Sequence, residues 1–171
     1  GPVNLMVGDP AVASELISPK TFRELCKPHI QELADGVEKI TGKRPGVSLV
    51  GKSRELWTDY ADMGFISFMP DGLEDLEALK KTVGHRMAIS GNVPPVDVMV
   101  NGGIDDVIEA VKKCLIQGSD SPRGYTLAVG GQLAYGTPRE NIAAYVYAAR
   151  RYGRGAKRGQ LCRGLREEGL I

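Results

Sequence analysis

Gly46 to Ser53 reads G-V-S-L-V-G-K-S, which matches the phosphate-loop pattern G-x-x-x-x-G-K-[ST]. Such a loop needs a strand before its first glycine and a flexible run between the glycines, so that backbone N–H groups can wrap an anion. Here the residues before the motif, Thr41-Gly42-Lys43-Arg44-Pro45, are loop-like, and Val-Ser-Leu-Val between the glycines is itself the strand. The pattern therefore reads as a strand and its end. Lys52 and the helix start after it can still meet an anionic group. Asp9 lies just past the apolar run Val3-Asn4-Leu5-Met6-Val7. A carboxylate there is either used or paired, or it serves the turn before Pro10. Asn92, after Gly91, either points its amide into a pocket or belongs to the turn before Val93-Pro94-Pro95. His29 and His85 are the only histidines. One sits in a predicted helix and the other in a loop before a strand, at the wrong end to act as a base. No His, Cys, Asp or Glu cluster has metal-ligand spacing.

The elements that position these residues alternate strictly. Ser18-Pro19 starts a helix with Ser as N-cap and Pro at the first helical position. Phe22, Cys26, Ile30, Leu33, Val37 and Ile40 come next at helical spacing, with a kink expected at Pro28 and a cap at Gly42. Strands are predicted at Val3–Val7, Val47–Val50, Phe65–Phe68, Met87–Ile89 (stopping at Gly91-Asn92) and Tyr125–Val129. Helices are predicted at about Ser53–Asp62, Leu73–Val83, Asp105–Gln117 and Arg139–Tyr152, with a short helical turn at Asp97–Asn101. Strand then helix, five times over, means a parallel sheet covered by helices, either an open doubly wound sheet or part of a (β/α)8 barrel. In both, the ligand site lies at the C-terminal strand ends. That singles out Gly8-Asp9-Pro10, Gly51-Lys52-Ser53, Met69-Pro70-Asp71, Gly91-Asn92 and Gly130-Gly131-Gln132.

The chain of 171 residues is 42% hydrophobic and 25% charged, with a formal charge of +1, the balance of a soluble globular protein. That charge gives no footprint for nucleic acid, and no apolar run is long enough for a membrane span. Cys26, Cys114 and Cys162 are odd in number and far apart, which reads as free thiols in a reducing, cytoplasmic setting. The chain opens without Met and inside a strand, so residues upstream are expected to be missing. Residues 154–171 form a basic, Gly-rich tail that reads as solvated.

Several segments together resemble the uroporphyrinogen decarboxylase superfamily, which also contains cobalamin-dependent methyltransferases. They are GDPAVASELISPKTFRELCKPHIQEL, LEDLEALKKTVGHRMAISGNVPPVDVMVNGGIDDVIEAVKKCL and TPRENIAAYVYAARRYG. The resemblance covers about Val3 to Gly153. It implies that residues 1–153 are the C-terminal portion, about five βα units, of a TIM (β/α)8 barrel. Such a part should expose a large apolar edge and need its N-terminal portion or a second copy.

The family's methyltransferases bind zinc through H-x-C at one strand end and a later Cys in a Gly-rich loop. These positions fall on Ser48, Val50 and Gly131, so the usual zinc set is expected to be absent. The decarboxylases place a His in the loop that here reads Val129-Gly130-Gly131-Gln132-Leu133. Asp9 matches the family's pocket Asp. V-D-V-M-V-N-G-G after G-N-V-x-P is closer to the methyltransferase branch. The resemblance implies a corrinoid-linked methyltransferase in which Asp9, Asn92 and Gln132 orient donor or acceptor. Ser48, Lys52, Gly91, Gly130, Gly131 and Tyr135 would line the site. No motif binds a cofactor, so a cobalamin would be presented by a partner corrinoid protein. The alternatives are a tetrapyrrole decarboxylase and a non-catalytic binding or assembly subunit.

Overall fold

The computed structural model describes residues 5–8 and 10–171. Five strands, β1 (Met6–Gly8), β2 (Gly46–Ser48), β3 (Ser67–Met69), β4 (Ala88–Val93) and β5 (Tyr125–Val129), form one sheet in the order β1-β2-β3-β4-β5. Every neighbouring pair is parallel. A doubly wound sheet reverses its strand order at a switch point. This sheet never reverses, so the helical crossovers advance in one direction, as they do around a (β/α)8 barrel.

Helix formation obeys local signals. Ser18 caps α1 (Pro19–Thr21), its side chain accepting from Thr21 N–H at 3.0 Å. The chain then runs through a π-helical turn, Phe22–Cys26, into α2 (Lys27–Thr41). Pro28 lies in the first turn of α2, where its missing N–H costs least. The wide turn just before it takes the place of the expected kink inside one long helix. Gly42, at φ 74°, ends α2. Next come α3 (Trp57–Asp62) and α4 (Leu76–Val83), the latter capped by Asp75 accepting from Glu77 and Ala78 N–H. Helices α5 (Ile104–Gly118) and α6 (Arg139–Tyr152) complete the outer layer.

Two predictions about β4 and α4 are corrected. β4 does not stop at Gly91-Asn92: Gly91, Asn92 and Val93 pair with Leu127, Ala128 and Val129. The Gly91–Asn92 peptide is cis. Helix α4 starts three residues after Leu73, because Asp75 supplies the cap, and this leaves Leu73 exposed. Between Pro94 and Gly102 the expected helical turn forms, with Met99 N–H donating to Pro94 and Gly102 N–H to Val98.

The core lies between the sheet and its helices. Val47, Phe68 and Ile89 point outward against Trp57, Tyr60, Leu79 and Val111. The opposite face carries Gly46, Ser48, Ser67, Ala88 and Ser90, small or polar residues that are mostly half-buried, together with Met6 and Met69. Gly46 is required there: a Cβ would fall 2.2 Å from Ser67 Oγ and 2.6 Å from Met6 Sδ. The exposed sheet face is thus mostly small and polar, and large apolar side chains are exposed at the edges: Leu5 and Met6 by β1, Ile142, Val146 and Tyr147 on α6.

Residues after Gly153 are not merely a solvated tail. They include α7 (Arg163–Glu167) and bury Cys162 and Leu165 in the core. Arg151 and Arg154 pair with Glu168 at 2.6 and 3.2 Å. Burial of Cys162 and Leu165, with Leu170 packed against the core, and these ion pairs together fasten this Gly-rich segment.

Candidate active site

The C-terminal ends of β2 to β5 enclose a cleft of about 390 Å3. Its walls come from Val50, Asp71, the Pro94–Asp97 turn and Gly130-Gly131-Gln132. Two loops meet below it: a Cβ on Gly130 would sit 2.3 Å from Gly72 N, so only glycine allows this approach. Gly131, at φ 119°, has open space on its side-chain side. Gly130 N–H donates to Val93, which fixes the β5 end against β4.

The Gly51-Lys52-Ser53 loop is held from three directions. Its successive N–H groups donate to Asp71 Oδ2 (3.0 Å), Glu15 Oε2 (2.8 Å) and Glu74 Oε1 (2.5 Å). Three of the protein's own carboxylates thus occupy the donors that a phosphate loop would offer an anion. Asp71 also accepts from Leu73 N–H at 2.9 Å and so joins the β2 and β3 loops. Lys52 extends into solvent with Nζ 4.0 Å from Glu15, outside the cleft wall.

Of the residues singled out in the sequence, Gly130, Gly131 and Gln132 come together in the cleft. Asp9 lies outside the described residues. Ser48 ends β2 on the small, polar face, level with Gly8 and Met69. Asn92 is buried and turned towards α5. Its amide donates to Asp71 O (2.9 Å) and Glu74 O (2.7 Å), and its Oδ1 accepts from Cys114 Sγ. It holds the β3–α4 loop in place behind the cleft. Gly91 is buried, and its carbonyl accepts from the Tyr125 hydroxyl. Tyr135 is fully exposed on the loop after β5. Burial pushes the Cys114 thiol up, more than its Asn92 contact lowers it, and burial raises Tyr125 further. Both stay protonated at neutral pH, so the cluster behind β4 is structural.

Asp71 and Asp97 are the ionisable groups in the cleft wall, and among the described residues no cation lines it. Sequence reasoning reached Asp71 only as part of a strand end and passed over Asp97. An Asp-Gly pair directly after an apolar strand is the signal that marks Asp71; Asp97 comes after two prolines and carries none. Around the opening, Val50, Leu73 and Val96 are exposed apolar side chains. His29 and His85 are exposed and remote from the cleft wall. Among the described residues, no group of three His, Cys, Asp or Glu is placed to hold a metal ion.

A parallel, sequentially ordered sheet with its cleft at the C-terminal strand ends defines an arc of a (β/α)8 barrel, with the site where such barrels carry it. The uroporphyrinogen decarboxylase (URO-D) profile matches residues 2–152, and the chain belongs to that family. It is 30% identical over 149 residues to the methylcobamide:CoM methyltransferase MtaA of Methanosarcina barkeri, covering 86% of this chain and 41% of that protein. It is 30% identical over 146 residues to a methylated-thiol–coenzyme M methyltransferase of Methanosarcina mazei, covering 85% and 37%. The uroporphyrinogen decarboxylase of Shewanella amazonensis is 25% identical over 134 residues, covering 77% and 37%. A solved methyltransferase from Methanosarcina mazei superposes with a TM-score of 0.70 at 24% identity, covering 85% of this chain and 41% of that one. The chain therefore spans about two-fifths of the length of the relatives it matches. Among the described residues, no helix is long and apolar enough to cross a membrane.

Proposed function

We propose that the chain forms the C-terminal part of a corrinoid-linked methyltransferase, moving a methyl group to or from a cobalamin held by a partner protein. The observation that carries this is the character of the mouth. Its rim is apolar at Val50, Leu73 and Val96, and its wall has two carboxylates and, among the described residues, no cation. A tetrapyrrole bearing several carboxylates needs cations to receive it, and Asp71 and Asp97 would repel it. An apolar rim suits the face of a large, mostly apolar ring offered by another protein. The relatives at 30% identity are named for methyl transfer to coenzyme M, which favours the same branch.

A bound cobalamin would supply the reactive methyl–metal bond; this chain's residues supply position. Gln132 carries a neutral amide into the cleft beside Gly131 and can donate to or accept from the small reactant. Asp97 can accept a proton or hold a donor group. Asp71 is spent on two backbone N–H groups and keeps the loops in register. Asn92 acts through those loops as a positioning residue. Asp9, next after Gly8 in the sequence, completes the proposed set.

The positions that the resemblance assigns to the family's zinc ligands do not fit that ion. Ser48 offers a hydroxyl, Val50 a hydrocarbon and Gly131 no side chain. On this reading no step runs through zinc at those positions.

Incubation of the full-length protein with a methylated corrinoid protein, monitored by the visible spectrum, tests the proposal. Methyl loss that depends on the protein and on an added thiol acceptor is expected. If the protein instead releases CO2 from uroporphyrinogen, the decarboxylase reading replaces it. Inactivity in both assays leaves the fold serving as a binding subunit.

A further inference from the structure

We propose a second, anion-binding site at the opposite end of the sheet, one that takes the phosphate group of a small organic molecule. A cleft of about 530 Å3 opens beneath β5, between the ends of α5 and α6 and the segment after α6. That volume suits a small ligand. Arg123, Lys157 and Arg158 line it, and among the described residues no carboxylate does. Among the described residues none of the three has an ion-pair partner, whereas Arg151, Arg154 and Arg163 beside them pair with Glu167 or Glu168. Folded surfaces usually interleave the two signs. The cleft wall thus carries three positive charges and, among the described residues, no negative one, a field that favours an anion.

The floor is apolar, with Leu115, Leu127 and Ala149, and the Thr126 hydroxyl is exposed at its edge. The cleft therefore offers charge for a phosphate and hydrocarbon for the group that bears it. Guanidinium and ammonium donors bind phosphate oxygens by charge-assisted hydrogen bonds.

The segment that carries Lys157 and Arg158 is fixed and lies beyond the family match, which ends at residue 152. Gly159 N–H donates to Ser121 O at 3.2 Å, and Cys162 N–H to Ser119 Oγ at 3.3 Å. Buried Cys162 and Leu165 anchor its C-terminal side. Arg158 Nε lies 3.8 Å from where a Cβ on Gly124 would be, so its head group folds back over the cleft. The two cations are thus held over the cleft by an element that the matched barrel region does not contain.

Titration calorimetry of the full chain with inorganic pyrophosphate at low ionic strength tests the site. One site per chain is expected, weakened by salt. Lys157→Ala with Arg158→Ala should weaken binding by roughly tenfold per cation removed. Arg163→Ala, whose guanidinium pairs with Glu167 instead, should leave it unchanged. No heat with millimolar pyrophosphate overturns the proposal, as does unaltered binding by the double variant. Citrate binding as tightly as pyrophosphate overturns the assignment to phosphate.

Discussion

The two faces of the sheet differ in what they ask of the sequence. On the helix side, Val47, Phe68 and Ile89 are sealed under aromatic and branched side chains, and Tyr60 meets Phe65 and Phe68 edge-on at 5.2 and 5.9 Å. On the other side, Ser48, Ser67 and Ser90 alternate with those residues in the same strands and are only half-buried. Stability therefore resides in the outer layer. The inner face and the strand ends above it are free to carry polar groups, which is why the cleft can be built there without weakening the core.

The sharpest way to break that contrast is a pair of substitutions in adjacent strands. Phe68→Ala should cost about 3–5 kcal/mol, because a wholly buried ring leaves a cavity among close-packed neighbours. Ser90→Ala should change stability by no more than about 0.5 kcal/mol. Urea denaturation of both variants measures the difference; equal costs would mean that the two faces are equally committed to the fold.

The outer layer also holds a charged joint, with an effect of intermediate size. Asp59 on α3 is buried and accepts from Arg23 Nε at 3.0 Å and from Lys27 Nζ at 2.7 Å, which ties α3 to α2 and the turn before it. Burial pushes its carboxyl up, but the hydrogen bonds and charges of Arg23 and Lys27 outweigh this and hold it below the ordinary carboxylate value. A carboxyl with a lowered folded-state pKa stabilises the fold above its unfolded value of about 3.9, and that stability fades as pH falls through the folded value. Asp59→Asn should cost about 1–2 kcal/mol at neutral pH, since the two cations are partly exposed and can rehydrate. Its cost should shrink as pH falls below about 4. Thermal melts of the two proteins across that range should converge; a constant gap would remove the ion pair from the account.

How far the sequence revealed all this depended on whether the signal was local. β5 and α6 match the predicted limits, Tyr125–Val129 and Arg139–Tyr152, because glycines or Pro138 mark their ends. β4 runs past Gly91 because pairing with β5, more than thirty residues away, outweighs the local preference of Gly-Asn for a turn. Leu73 was expected on a buried helix face and instead rims the cleft, since the capping strength of Asp75 sets the helix start. In the site, Gly130, Gly131 and Gln132 were legible from the rule that ligands sit at strand ends. Asn92 was also at a strand end. Its direction was fixed by the carbonyls of Asp71 and Glu74, whose approach no spacing in the sequence encodes.

The smallest expected effect on the fold falls on Gln132. It is exposed, among the described residues it has no hydrogen-bond partner, and it stands in the cleft wall between Gly131 and Leu133. Gln132→Ala should leave the urea midpoint within about 0.5 kcal/mol of the parent. Under the methyl-transfer reading it should still lower turnover, about tenfold if the amide makes one hydrogen bond to the reacting molecule that matters in the transition state. Gln132→Glu separates a hydrogen-bonding role from a steric one. It keeps the shape and an acceptor but adds a third carboxylate beside Asp71 and Asp97, so an anionic acceptor should be repelled and its KM raised while stability stays level. A loss of stability in Gln132→Ala would place this residue with the outer layer's structural machinery. Unchanged turnover in both variants would move the reacting groups to the part of the mouth around Asp97.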